Sequence, residues 1–96
     1  MRSLARNLIR DTRIKTTAAK AKELRPYVEK LVTRAKTATV ASRRLVSSKL
    51  MGDSEVKKLF DEVAPKYKER KGGYVRIIKL PNRDMDGSPM ALIEFI

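Results

Sequence analysis

The 96-residue sequence contains no cysteine, no histidine and no tryptophan. Without cysteine there are no disulfides, thiolate zinc sites, iron–sulfur clusters or cysteine nucleophiles. Without histidine the usual general base near neutral pH is missing, as are the commonest metal ligand and every serine–histidine arrangement. Only five aromatic residues are present, Tyr27, Phe60, Tyr67, Tyr74 and Phe95. That is too few for the aromatic-rich strands on which single-stranded RNA stacks its bases. No run approaches the roughly 18 apolar residues of a membrane span. There is no internal repeat and no low-complexity segment. The composition, 42% hydrophobic, suits one small domain over 1–96, which buries roughly 60 to 70% of its unfolded surface.

Acidic residues are also scarce. Lys and Arg number 23 against 11 Asp and Glu, for a formal charge of +12. Such a field favours a polyanionic partner, nucleic acid or an anionic membrane surface. The excess is uneven: residues 1–50 hold 14 basic and 3 acidic side chains, residues 51–96 hold 9 and 8. The binding surface is therefore expected mainly from the first half.

Along the chain, Met1, Leu4, Ala5 and Leu8 fall on one side of a helix at 100° per residue, and Arg2, Arg6, Arg10 and Arg13 on another. Apart from nearby Asp11 this arginine stripe has no acidic partners at helical spacing, which suits phosphate binding over a merely solvated face. The Arg-rich opening also has the character of a mitochondrial transit peptide, although its pattern runs without a break into the next element.

Arg13 to Thr17 alternates as a short strand, and Thr17 can cap the next helix. Leu24, Val28, Leu31 and Ala35 form the core stripe of a long helix from Ala18 to about Lys36, with a kink expected near Lys22 to Pro26. After a weak break at 37–39, Val40 to Met51 reads as helix with Arg43 and Arg44 on its polar side. Gly52 is expected to cap its end, and Asp53 or Ser54 to start the next helix. That helix carries Val56, Leu59, Phe60 and Val63 and bends or closes near Pro65. Strands 74–80 and 90–96 then form an antiparallel hairpin around the polar loop Pro81 to Pro89, with Val75, Ile77, Ile93 and Phe95 facing the core. The fold class is α+β: a small antiparallel or mixed sheet, with strand 13–17 as its third member, packed on about four helices.

The acid pairs Asp61-Glu62 and Asp84 with Asp86 could hold Mg²⁺ or divide acid and base roles, as in a nuclease. Neighbouring helix residues diverge, however, and an Asp-rich loop ending in Gly-Ser-Pro is ordinary turn chemistry. No catalytic residue, metal site or cofactor is assigned. Gly72-Gly73 reads as a helix stop and turn that also permits close approach of a phosphate, with Arg70, Lys71 and Arg76 supplying charge. Tyr67 and Tyr74 read as core or core-edge residues before base-stacking ones.

Several segments in fixed order carry a resemblance. Ile14-Lys-Thr-Thr17, Lys20-Ala-Lys-Glu-Leu-Arg25, Ala35-Lys36, Arg43-Arg44-Leu45, Leu59-Phe60, Pro65-Lys-Tyr67, Arg70 to Lys79 and Pro89 to Glu94 resemble the bacterial large-subunit ribosomal protein L-seventeen family over essentially the whole chain. The resemblance implies an α+β fold that binds large-subunit ribosomal RNA near the polypeptide exit tunnel, beside neighbouring ribosomal proteins. It implies a bacterial-type ribosome in the cytoplasm, with an organellar ribosome as the alternative, and neither a membrane nor a small-molecule substrate. Family members carry a further basic segment with a serine–histidine–arginine stretch ahead of the first matched helix, whereas this chain starts inside that helix; contacts of that segment are not carried over. The RNA-binding candidates are Arg2, Arg6, Arg10, Arg13, Lys15, Lys20, Lys22, Arg25, Arg43, Arg44, Arg70, Lys71, Gly72, Gly73 and Arg76. The alternatives are a free nucleic-acid-binding module using helix 40–51, and a nuclease.

Overall fold

In the computed structural model, which describes residues 1–96, each helix begins or ends on a local signal. Helix α1 (Arg2–Asp11) buries Ala5, Leu8 and Ile9 and stops where Thr12 takes a left-handed backbone, φ 67°, its N–H donating to Leu8 O at 2.7 Å. Met1, expected on the buried side, is 41% exposed, because it stands ahead of the first helical residue. The stop also throws Arg13 into strand β1 (Arg13–Thr17). Arg13 therefore does not share the helical face of Arg2, Arg6 and Arg10.

Thr17 Oγ1 accepts from Lys20 N and caps helix α2 (Ala18–Ala35), whose buried side is Ala21, Leu24, Val28, Leu31, Val32 and Ala35. Pro26 is exposed and the helix continues past it. On that side water can satisfy the carbonyl left without a donor. Helix α3 (Val40–Leu50) opens on a capping box: Thr39 Oγ1 accepts from Ser42 N, and Ser42 Oγ from Thr39 N. Its end departs from expectation. Met51, not Gly52, takes the left-handed conformation (φ 54°), and helix α4 (Asp53–Lys58) starts at Gly52 without a side-chain cap. Gly52 answers to space instead, since a Cβ there would lie 2.8 Å from Arg6 Cδ and 2.8 Å from Glu55 Oε2.

Pro65 does close the following segment, by a change of winding. The chain widens to a π-turn over Leu59–Val63, where Ala64 N–H reaches back to Leu59 O, and then tightens to a 3₁₀ turn over Ala64–Tyr67. The change of winding accommodates a proline that lacks the donor and crowds the preceding turn, whereas α2 runs on past the exposed Pro26.

Strands β2 (Val75–Leu80) and β3 (Met90–Phe95) form the hairpin one residue shorter at one end of each than expected, Tyr74 and Ile96 lying outside. The sheet is wholly antiparallel with order β1-β3-β2, so β3 is central and β1 joins it rather than β2. Helix α2 packs against all three strands, facing Thr16, Val75, Ala91 and Ile93, which are buried. Ile77 and Phe95 are only partly buried at the margin of the 20-residue core. Tyr67 joins the two layers, its ring 5.3 Å from Tyr74 and 6.3 Å from Phe95.

Candidate nucleic-acid interface

Every buried side-chain nitrogen and oxygen has a hydrogen-bond partner, so recognition chemistry lies on the surface. Surface charge is overwhelmingly unpaired: only Arg10, Arg76 and Arg83 among the 23 basic side chains have a carboxylate within ion-pair distance.

Two of the three arginines of α1, Arg2 and Arg6, reach the end of α3. Arg6 Nη1 donates to Leu50 O at 3.3 Å and Met51 O at 3.2 Å, and Arg2 Nε donates to Lys49 O at 2.9 Å. These carbonyls form the negative end of the α3 dipole and lack intrahelical donors, so a guanidinium satisfies both needs. Arg6 is half-buried there, whereas Arg2 remains exposed. Arg10 pairs with Asp11 at 3.1 Å, and Lys58 Nζ donates to the Arg10 carbonyl. That pairing holds the Asp11 carboxyl below its ordinary pKa, chiefly through the hydrogen bond from Arg10.

The glycine turn is equally engaged. Glu29 on α2 receives the N–H groups of Gly73 (3.2 Å), Tyr74 (2.7 Å) and Val75 (3.3 Å) on its two carboxylate oxygens. The backbone nest that could have cradled a phosphate holds this side chain. Gly73 has φ 67°, a conformation glycine adopts without strain. Lys36 locks the other side, donating to Arg70 O and to Tyr74 Oη (2.9 Å). Burial pushes the Tyr74 phenol up, but the hydrogen bonds from Lys36 and Thr33 outweigh it and its pKa is lowered.

With Glu29 turned into that nest, a groove beside it is strongly basic. Lys30 and Arg34, one turn apart on α2, border two adjoining hollows. One is shared with Tyr27, Leu31 and Lys49, the other with Glu29, Thr33, Lys71, Gly72 and Tyr74, the Glu29 carboxylate being taken up by the turn's N–H groups. Arg2, bonded to the Lys49 carbonyl, extends the line. Arg2, Lys49, Lys30, Arg34 and Lys71 thus form one track drawn from four parts of the chain. Gly72 leaves its floor open, with nothing within 4 Å of a Cβ placed there.

The family profile described as Ribosomal protein L17 matches residues 1–96. The chain belongs to the ribosomal protein L17 family. The large ribosomal subunit protein bL17 of Sphingopyxis alaskensis is 55% identical over 95 residues, covering 99% of this chain and 68% of that protein. Those of Zymomonas mobilis (54% identical, 93% of this chain and 64% of the relative) and Sulfurihydrogenibium sp. (53%, 98% and 78%) are similar. The chain thus spans about two thirds of the length of the first two of these relatives.

On this L17 scaffold the other anticipated residues are dispersed. Lys22 and Arg25 leave α2 on the flank away from Lys30 and Arg34, and Lys20 lies near its start. Arg43 stands 5.1 Å over the Phe60 ring, packing α3 on the π-turn, while Arg44 is exposed without an ion-pair partner. Arg13, Lys15 and Arg76 are exposed on the strands and Arg70 in the turn before β2. Tyr67 and Tyr74 are core residues, 4% and 0% exposed. The carboxylates Asp61, Glu62 and Asp84 are exposed, and Asp86 accepts from Ser88 N in the loop. Lys30, Arg34 and Lys49 were missed by sequence reasoning. The signal was available for two of them, a Lys–Arg pair at i,i+4 opposite the α2 core stripe; for Lys49 only the tertiary approach of α3 to α2 reveals it. No helix of this L17 chain is long and apolar enough to cross a membrane.

Proposed function

We propose that the chain is a structural constituent of the large ribosomal subunit, binding ribosomal RNA through its basic surface near the polypeptide exit tunnel and beside neighbouring ribosomal proteins. Family membership supports the particle. The observation that carries RNA binding is the track Arg2–Lys49–Lys30–Arg34–Lys71, five cations none of which has a carboxylate partner. A continuous line of unneutralised cations gains by displacing the condensed counterions of a phosphate backbone, and reads backbone and shape rather than base edges.

Affinity for the subunit RNA is therefore expected to fall steeply with salt, each neutralised phosphate contributing a log–log slope of about 0.7 to 0.9. Replacing Lys30, Arg34 and Lys71 together by Gln leaves the core untouched and should reduce the slope by roughly 2 to 3. Co-sedimentation with large subunits at moderate salt tests the particle. An unchanged slope in the triple variant would remove the track from the interface.

A further inference from the structure

The sheet face turned away from α2 is not built like a solvated surface. Its side chains stand in three cross-strand rows: Arg13–Glu94–Arg76, Lys15–Leu92–Ile78 and Thr17–Met90–Leu80. An antiparallel sheet with one face in water carries polar residues there. Here Ile78, Leu80, Met90 and Leu92 form a two-by-two aliphatic block, with Ile78 41% exposed and the other three half-buried. Past its Met90 end, Lys15, Pro81, Arg83, Asp84 and Met85 help to enclose a hollow of about 490 Å³, and Met85 is 94% exposed.

Apart from Asp84 at the hollow, the unpaired charge beside this block is one-sided. Arg76 is neutralised by Glu94 at 2.7 Å and Arg83 by Asp86 at 3.5 Å, whereas Arg13 and Lys15, on the β1 side, have no carboxylate partner. An apolar centre with a charged rim is the anatomy of a protein interface, in which Met and Arg are enriched. Aliphatic side chains offer RNA neither a donor for base edges nor a π-face for stacking. A second copy would set one +12 chain against another, with both cationic flanks at the contact.

We infer that this face docks a protein segment that lays aliphatic side chains on Ile78, Leu80, Met90 and Leu92 and carboxylates along Arg13 and Lys15. The inference rests on the ribosomal reading, which makes the partner another protein of the same particle. It assigns protein and RNA to different faces, the outer sheet and the α2 groove.

The test places the photo-crosslinker p-benzoylphenylalanine at Ile78 in one full-length variant and at Lys30 in another, each assembled into purified large subunits after its thermal midpoint is shown to be unchanged. Position 78 should crosslink to a protein peptide carrying aliphatic and acidic residues, and position 30 to RNA. Crosslinking from position 78 to RNA, to a second copy or to nothing, while position 30 reaches RNA, overturns the docking surface and leaves the ribosomal reading standing. Exclusion of both folded variants from subunits overturns the two together. Independently, Ile78→Lys with Leu92→Lys should lower subunit occupancy at least about tenfold with the salt slope on naked RNA unchanged; undiminished occupancy overturns the inference.

Discussion

Two residues show how an interaction surface and a fold compete for the same side chains. Arg6 was an RNA-binding candidate, yet its guanidinium closes the end of α3 and its stem fills the space that Gly52 leaves. Arg6→Gln should therefore destabilise the fold, by about 1 to 3 kcal/mol for carbonyls deprived of a charged donor, and a urea midpoint would register it. Gly52→Ala should cost a similar amount by overpacking, about 1 to 3 kcal/mol. Much of that cost should vanish in an Arg6→Ala background, because the two changes share one contact. Glu29 holds three backbone donors of the turn, so Glu29→Ala should lose about 2 to 3 kcal/mol, and Glu29→Gln less, since its one remaining oxygen still accepts. The buried tyrosines diverge in alkali. Burial raises the Tyr67 pKa, so its contribution is present below about pH 10 and is lost as pH climbs through the folded value. The lowered Tyr74 pKa acts oppositely, adding stability as pH rises through it. Phenolate absorbance should accordingly assign the earlier step to Tyr74 and the later to Tyr67, and Tyr→Phe at each position should remove the corresponding step.

At the scale of elements, the hairpin gives the sharpest packing test. Ile93 is fully buried in the central strand, and Phe95 only partly. Ile93→Ala should cost about 2 to 5 kcal/mol, and Phe95→Ala less than the about 3 to 5 kcal/mol typical of a fully buried Phe. Equal losses in thermal unfolding would contradict the burial gradient along β3. Element types were legible in the sequence because periodicity and caps are local: Thr17 and the α2 stripe, the 13–17 alternation and the hairpin all follow from neighbours a few residues apart. What sequence reasoning missed depends on contacts between distant segments. That β1 pairs with β3 is a choice of partner, and alternation cannot specify it. Gly52 carried a valid cap signal, but the approach of Arg6, 46 positions away, gave it a different use. Pro65 announced an interruption, not the π-turn that accommodates it.

For the whole molecule, charge was readable from composition and its addresses were not. Four of the five track cations, Arg2, Lys30, Arg34 and Lys49, lie in the first half, but the stripe of four arginines divides: Arg2 and Arg6 clamp the end of α3, Arg10 pairs with Asp11, and Arg13 joins the outer sheet because Thr12 ends α1 before it. Helical angle alone cannot tell an arginine facing solvent from one facing another helix's carbonyls. The same charge distribution makes two responses to salt run in opposite directions. With +12 on 96 residues and only three ion pairs, repulsion among unpaired cations outweighs exposed pairs that contribute little. Shortening the Debye length from about 30 Å at 0.01 M to about 8 Å at 0.15 M screens that repulsion. The free chain should therefore melt at a higher temperature as sodium chloride rises, while its affinity for RNA falls over the same range. Bound to RNA, where phosphates already neutralise the track, the melting temperature should instead decrease with added salt as the complex dissociates. Calorimetry of free and RNA-bound chain across one salt series checks both signs, and a free chain that loses stability with salt would mean that its few ion pairs outweigh the repulsion.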